Sequence, residues 1–230
     1  MLSTEEIKHK VGEEAAQLVK EDMVIGIGSG STVFYFIESL AKRVKSGLNI
    51  TGVPTSLYTL SLAEKGGINM TQLNDVPSID LTIDGADEID NSLQLIKGGG
   101  AALLQEKMVA ASSKEVVIIA DSRKLKDQLG AFPLPVEVVP YGWKQVQKKL
   151  RSLYHIEIEL RIQNGEPLIT DHGHYILDCH FGRITDAAFL NSSLHLIPGV
   201  VETGLFINLC NKALVGQPDG SIRQIRKPGL

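Results

Sequence analysis

Asp84 and Asp87 close an Asp-Gly-Ala-Asp stretch just past Leu81-Thr82-Ile83, an apolar run with the composition of a buried strand. A second apolar run, Leu93, Leu95 and Ile96, ends at Lys97. Gly98, Gly99 and Gly100 follow and open a helix that carries Glu106. Two carboxylates, an ammonium group and a glycine-rich helix entrance make the layout of a catalytic site for a small polar anion. In an open parallel sheet, ligands bind beyond the carboxyl ends of the strands. Asp84, Asp87 and Lys97 are therefore expected at one crevice, beside the glycine-rich helix start.

A second glycine turn, Gly28-Ser29-Gly30-Ser31-Thr32, follows the short strand Met23–Ile27. The helix that begins near Thr32 carries Val33, Phe36, Ile37 and Leu40 on one side. A dinucleotide fingerprint would need glycine in place of Ser31 and an acid ending the second strand. That strand, Leu48–Val53, runs instead into Pro54-Thr55-Ser56. A Walker loop would need a lysine that the turn lacks. The interleaved glycines and hydroxyls suit a single phosphate, held by N–H and O–H groups. The plainer alternative is a tight turn with a hydroxyl cap.

The helix Ala101–Ser112 is apolar almost all round, interrupted by Gln105, Glu106 and Lys107. Glu106 has Ala102, Leu103, Val109 and Ala110 at helical spacing, so facing inward it would be less hydrated and more basic than in water. Gln105 and Lys107 have apolar neighbours too, so periodicity does not choose among the three. Lys124 lies past the apolar strand Val116–Ala120 and joins the same crevice if the sheet is parallel.

The remaining elements must position these groups. Residues 4–20 have the apolar spacing of an amphipathic helix capped by Ser3 or Thr4, residues 57–65 are expected as a helix, and Ile68, Met70 and Leu73 as a short third strand. Ile79–Ile83 and Leu93–Ile96 become the fourth and fifth strands. The pattern changes after Gly130. Val136–Val139, a helix over Trp143–Leu153, Ile156–Ile162, Tyr175–Cys179, a helix over Thr185–Leu196 capped by Thr185 or Asp186, and a long strand Val200–Leu209 follow in turn. That β-α-β-β-α-β order is ferredoxin-like. Pro218-Asp219-Gly220 turns a final hairpin. The expected fold is α/β: a Rossmann-like open parallel sheet with helices on both faces, formed by residues 1–130 and 202–230, with a smaller ferredoxin-like α+β domain inserted at 131–201.

A formal charge of −4 without a Lys/Arg block argues against nucleic-acid binding. No apolar run reaches the ~18 residues of a membrane helix, and the MLSTEEIKHK start, with acids and no apolar core, is not expected to be a signal peptide. Cys179 and Cys210 form no CxxC pair, which fits a reduced, cytoplasmic setting. His172, His174 and His180 lack helical metal-ligand spacing, so a metal is not expected there.

Taken together, GIGSGST at 26–32, DGADEID at 84–90 and KGGGAALLQEK at 97–107 resemble the type A ribose-5-phosphate isomerase family, as do ADSRK at 120–124, FPLPVEV at 132–138 and PGVVETGLF at 198–206. The resemblance implies interconversion of ribose 5-phosphate and ribulose 5-phosphate through an enediol(ate), in the non-oxidative pentose phosphate pathway, without metal or organic cofactor. It matches Glu106 to the general base and Asp84 to the acid that moves protons between O1 and O2. Asp87 and Lys97 match residues for ring opening and charge stabilisation. It further implies that Lys8, Gly28, Ser29, Gly30, Ser31, Thr32 and Lys124 hold the phosphate, with Gly98, Gly99 and Gly100 also at the substrate and Thr55 and Ser56 near the sugar. A homodimer or homotetramer whose partner is a small sugar phosphate, with no nucleic acid or membrane, is implied as well. Sugar-phosphate sensor domains are similar in fold. They carry a DNA-binding unit, for which the stretch before the first strand is too short, and have no use for Glu106.

Overall fold

The computed structural model describes residues 2–227. In chain order its elements begin with α1 (Thr4–Ala16), β1 (Val24–Ile27), α2 (Ser31–Lys45), β2 (Thr51–Pro54), α3 (Leu57–Gly66) and β3 (Ile79–Asp84). Next come β4 (Glu88–Ile89), β5 (Leu95–Ile96), α4 (Leu103–Ala111), β6 (Ser113–Asp121), β7 (Leu134–Val138), α5 (Trp143–Tyr154) and β8 (Glu157–Leu160). The chain ends with β9 (Ile162–Gln163), β10 (Glu166–Pro167), β11 (Tyr175–His180), α6 (Ala187–His195), β12 (Val200–Thr203), β13 (Leu205–Phe206), β14 (Lys212–Gly216) and β15 (Ile222–Arg226). Two compact units result. One comprises the chain up to 86, residues 105–125 and the chain from 208; the other comprises 87–104 and 126–207.

The first unit is built on a six-stranded sheet of order β15-β14-β6-β3-β1-β2. Its neighbours pair in parallel except at the β14–β15 hairpin. Successive side chains of β1 serve opposite faces. Ile25 and Ile27 pack with Val11 and Ala15 of α1 and Phe36 and Leu40 of α2, whereas Val24 packs with Val53, Ile79 and Val109 of α4. Helices therefore cover both faces. Full burial of a side chain such as Phe36 contributes roughly 1.5–3 kcal/mol each. At the amino end of α1 a capping box between Ser3 and Glu6 satisfies two exposed N–H groups.

In the second unit, β12-β7-β11-β8 form a four-stranded antiparallel sheet. Val146 and Leu150 of α5 and Leu190 and Leu194 of α6 join Val136, Val138, Ile158 and Leu177 in its core. Asp186 caps α6, accepting from the Phe189 N–H at 2.9 Å. The β-α-β-β-α-β order is thus present, with β9 and β10 a small hairpin between its second and third strands. Glu88 is buried in this unit, and its two carboxylate oxygens accept from the N–H groups of Gly130 and Phe132, both at 2.7 Å.

Four expected strands are corrected. The run Ile156–Ile162 breaks at Arg161: β8 ends at Leu160 in the four-stranded sheet, and β9 turns back to pair with β10. Around Ile68–Leu73 there is one bridge, Gly52 to Met70, and Leu73–Asp75 is a 3-10 turn. The apolar spacing breaks alternation between Met70 and Leu73, and the pairing ends there. The run before Lys97 joins no parallel sheet: β5 pairs antiparallel with β4 and β13. The Asn91-Ser92 turn before it is too short for the crossover that parallel pairing needs. The long strand at 200–209 is split at Gly204, where a Cβ would lie 2.3 Å from the Lys97 carbonyl oxygen. Its first half, β12, lies in the four-stranded sheet, and its second, β13, pairs with β5.

Candidate active site

In the first unit, β1 delivers the chain into Gly28-Ser29-Gly30 beside the end of β3. A Cβ on Gly28 would sit 2.1 Å from Asp84 Oδ1, so only glycine lets the turn reach this carboxylate. Asp84 is 2% exposed, and its Oδ1 accepts from the Ser29 N–H at 3.1 Å and the Gly85 N–H at 2.7 Å. Gly30 has φ +112° and precedes α2, whose first residues are Ser31, exposed, and Thr32, buried. A helix amino terminus with hydroxyls in its first turn is a ready anion site.

The Ser29 hydroxyl lies 2.9 Å from Thr55 Oγ1, 2.8 Å from Ser56 Oγ and 3.0 Å from Thr59 Oγ1. Thr59 in turn donates to the Gly28 carbonyl at 2.8 Å. The Ser29 side chain thus ties the turn to the start of α3. Thr59 is a member of this hydroxyl cluster that the sequence reading missed; its place one helical turn beyond the capping Ser56 was the available signal.

Of the three polar residues in α4, Glu106 is the buried one, 5% exposed, while Gln105 and Lys107 are half-buried. Gln105 donates to the Pro54 carbonyl at the end of β2 at 2.9 Å. Glu106 stands in the first turn of α4, where the helix dipole favours negative charge, and Val109 and Ala110 on the same helix are buried.

Two lysines were expected at the phosphate. Lys8 of α1 bonds Glu5 at 2.8 Å, and Glu5 also accepts from Tyr35 of α2 at 2.7 Å. The bonds from Lys8 and then Tyr35 hold the Glu5 carboxyl below its ordinary range, and the same carboxylate pushes the Tyr35 phenol up. Lys124 ends the 3-10 turn Ser122–Lys124 that follows β6. Asp121 caps that turn and grips Arg123 Nε at 2.7 Å. Burial of Asp121 opposes its ionisation, but the bonds from Arg123 outweigh this and keep its carboxyl low.

In the second unit, Asp87 Oδ2 accepts from the Gly99 N–H at 2.8 Å, and the Asp87 N–H donates to Ile96. Lys97 is 3% exposed, with Nζ 5.4 Å from the centre of the Phe206 ring, and its N–H donates to the Gly204 carbonyl at 2.9 Å. Gly98 (φ +104°) leads into the exposed Gly99 and Gly100. Lys97 thus follows a strand of the small antiparallel sheet, and Asp84 alone of the three terminates a strand of the parallel sheet. The sheet-end rule that grouped them applies only to Asp84.

The family model for ribose 5-phosphate isomerase A (phosphoriboisomerase A) matches residues 51–220. A ribose-5-phosphate isomerase A from Bacillus cereus is 55% identical over 215 residues, which cover 93% of this chain and 97% of that one. The chain belongs to the ribose 5-phosphate isomerase A family. A solved D-ribose-5-phosphate isomerase in complex with phospho-erythronic acid is 39% identical with a TM-score of 0.95, covering 98% of this chain and all of the other. The ribose 5-phosphate isomerase A of Methanocaldococcus jannaschii is 40% identical with a TM-score of 0.93, again over 98% of this chain.

Within this isomerase A chain the sequence reading also passed over the pairing of Arg161 with Asp178. Arg161 Nε and Nη2 meet Asp178 Oδ2 and Oδ1 at 2.9 and 2.5 Å. Asp178 alternates with the buried Leu177 and Cys179, and Arg161 directly follows Leu160, which packs on the same core. Opposite charges on the polar faces of two strands were the legible signal. Cys179 and Cys210 are buried thiols, and burial followed by the neighbouring Asp178 pushes the Cys179 thiol up. Among the described residues no group of three His, Cys, Asp or Glu side chains is arranged to hold a metal, and no helix is long and apolar enough to cross a membrane.

Proposed function

We propose that the protein is an aldose–ketose isomerase that interconverts D-ribose 5-phosphate and D-ribulose 5-phosphate in the pentose phosphate pathway. The observation that carries the reading is Glu106, a buried carboxylate at a helix amino terminus in a chain of this family. Glu106 takes the proton from C2 of the open-chain aldose and returns it to C1. Asp84 moves the proton between O1 and O2 while its Oδ1 holds the Gly28 turn. Asp87 and Lys97 serve ring opening and, with the backbone N–H groups of Gly98, Gly99 and Gly100, stabilise the enediolate oxygen. Ser31, Thr32, Lys8, Lys124 and the backbone of Gly28, Ser29 and Gly30 hold the phosphate. The partner is this small sugar phosphate rather than nucleic acid or membrane, consistent with a charge of −4. The working form is a cytoplasmic homodimer or homotetramer.

The test is direct. Pure protein treated with a strong chelator and incubated with ribose 5-phosphate should form ribulose 5-phosphate at the untreated rate. No ketose would end the isomerase reading, and a loss restored by one divalent ion would end the metal-free one.

Lys124→Ala tests the phosphate site separately. One charged hydrogen bond is worth ~1.5–3 kcal/mol, so kcat/KM on ribose 5-phosphate should fall roughly 10- to 150-fold. The poor activity on unphosphorylated ribose should barely change. Equal losses on both sugars would move Lys124 into the chemistry or the fold.

A further inference from the structure

We propose that Arg161, anchored by Asp178, is a positioning residue that sets the peptides of the Gly98–Gly100 loop, so that the Gly99 N–H holds the Asp87 carboxylate and the Gly100 N–H is aimed at the enediolate oxygen; the assignment rests on the isomerase reading. Arg161 Nη1 donates to the Gly98 carbonyl at 2.7 Å and to the Gly99 carbonyl at 3.2 Å. The other side of the guanidinium is occupied by both oxygens of Asp178. A trans peptide points its C=O and N–H in opposite directions. Drawing these two carbonyls to one cation therefore turns the N–H groups of Gly99 and Gly100 to the other side. The Gly99 N–H indeed meets Asp87 Oδ2 at 2.8 Å, and Gly100 is exposed.

A run of three glycines needs such a device. Each glycine peptide flips readily, and Gly98 already sits at φ +104°. An oxyanion site works only if its donors are aligned before the charge develops. Arg161 is itself rigidly placed: its N–H donates to the Ile176 carbonyl and its carbonyl accepts from the Leu168 N–H, both at 2.9 Å. The paired register of β8 and β11 brings Asp178 opposite Glu159, two residues before Arg161. A planar fork is required, because only a guanidinium can bind a carboxylate with one side and two carbonyls with another. The cation on the carbonyls also polarises the peptides and strengthens their N–H groups as donors.

The experiment compares Arg161→Lys, Arg161→Ala and Asp178→Asn with the parent enzyme. In folded Arg161→Lys, kcat should fall roughly 10- to 100-fold, the cost of an ångström-scale misplacement, while KM stays within about twofold. Asp178→Asn keeps the shape but weakens the anchor and should show a smaller loss of the same kind. Guanidinium ion at sub-denaturing concentration should restore part of kcat to Arg161→Ala and none to Arg161→Lys, whose side chain fills the space. Amide exchange at Gly99 and Gly100, which needs no substrate, should quicken in every variant. Full kcat in a folded Arg161→Lys enzyme, or unchanged exchange at these amides, would overturn the proposal. A parent protein that does not isomerise would instead fail the functional reading, leaving the exchange data to judge the orientation of the loop.

Discussion

Glu106→Gln should lower the isomerisation rate by at least 10²-fold and by up to about 10⁴-fold, the range of general base catalysis. A proton beside the hydroxyl and carbonyl carbons of an open-chain sugar is only weakly acidic. Its removal needs a base held close and little occupied by water. Glu106 is 5% exposed, and Val109 and Ala110 of the same helix are buried as well. Glutamine keeps the shape and the burial but cannot accept the proton. KM should change little, since the phosphate is held by other groups. Exchange of the C2 proton with heavy water should fall in parallel with turnover, because both begin with the same abstraction. A folded Glu106→Gln enzyme that runs near the parent rate would remove Glu106 from the role of base.

Asp84→Asn should cost about 10²-fold or more by a different route. The asparagine carbonyl can still accept from the Ser29 and Gly85 N–H groups, so the Gly28 turn and the melting temperature are expected to persist. What is lost is the group that passes a proton between O1 and O2. Abstraction by Glu106 continues, and the enediolate returns to the aldose more often than it goes forward. Exchange at C2 should therefore outpace isomerisation by more than in the parent enzyme, the opposite of the parallel loss in Glu106→Gln. Asp84→Ala also strips two part-buried donors of their acceptor, at up to ~1–3 kcal/mol each, so its melting temperature should fall. An Asp84→Asn enzyme in which exchange and turnover decline together would place Asp84 with the carbon base and not with the oxygens.

The residues determined much by themselves. The 3.6-residue spacing of Ile7, Val11 and Ala15 and the apolar runs of β1, β3 and β6 are local properties, and local physics suffices to make those helices and strands. Gly28-Ser29-Gly30 could only be a close backbone turn. The order of elements after Gly130 was enough for the ferredoxin-like module. The motifs around Asp84, Lys97 and Glu106 carried the family.

Other features were decided only when distant segments met. Gln105, Glu106 and Lys107 have equivalent apolar neighbours along the helix, so no period separates them. The Pro54 carbonyl at the end of β2 holds Gln105, and the packing of α4 on β1 and β3 leaves Glu106 inside. The partners of the Leu95-Ile96 strand depend on β13, far along the chain, which no window near Lys97 contains. Arg161 reads as one more charge on the wet side of a strand. Only the register of β8 against β11 gives it Asp178 for an anchor and leaves Nη1 for the glycine carbonyls. Periodicity fixes which face a side chain takes; the identity of the group waiting on that face is set by pairings that span the chain, and those exist only in the folded molecule.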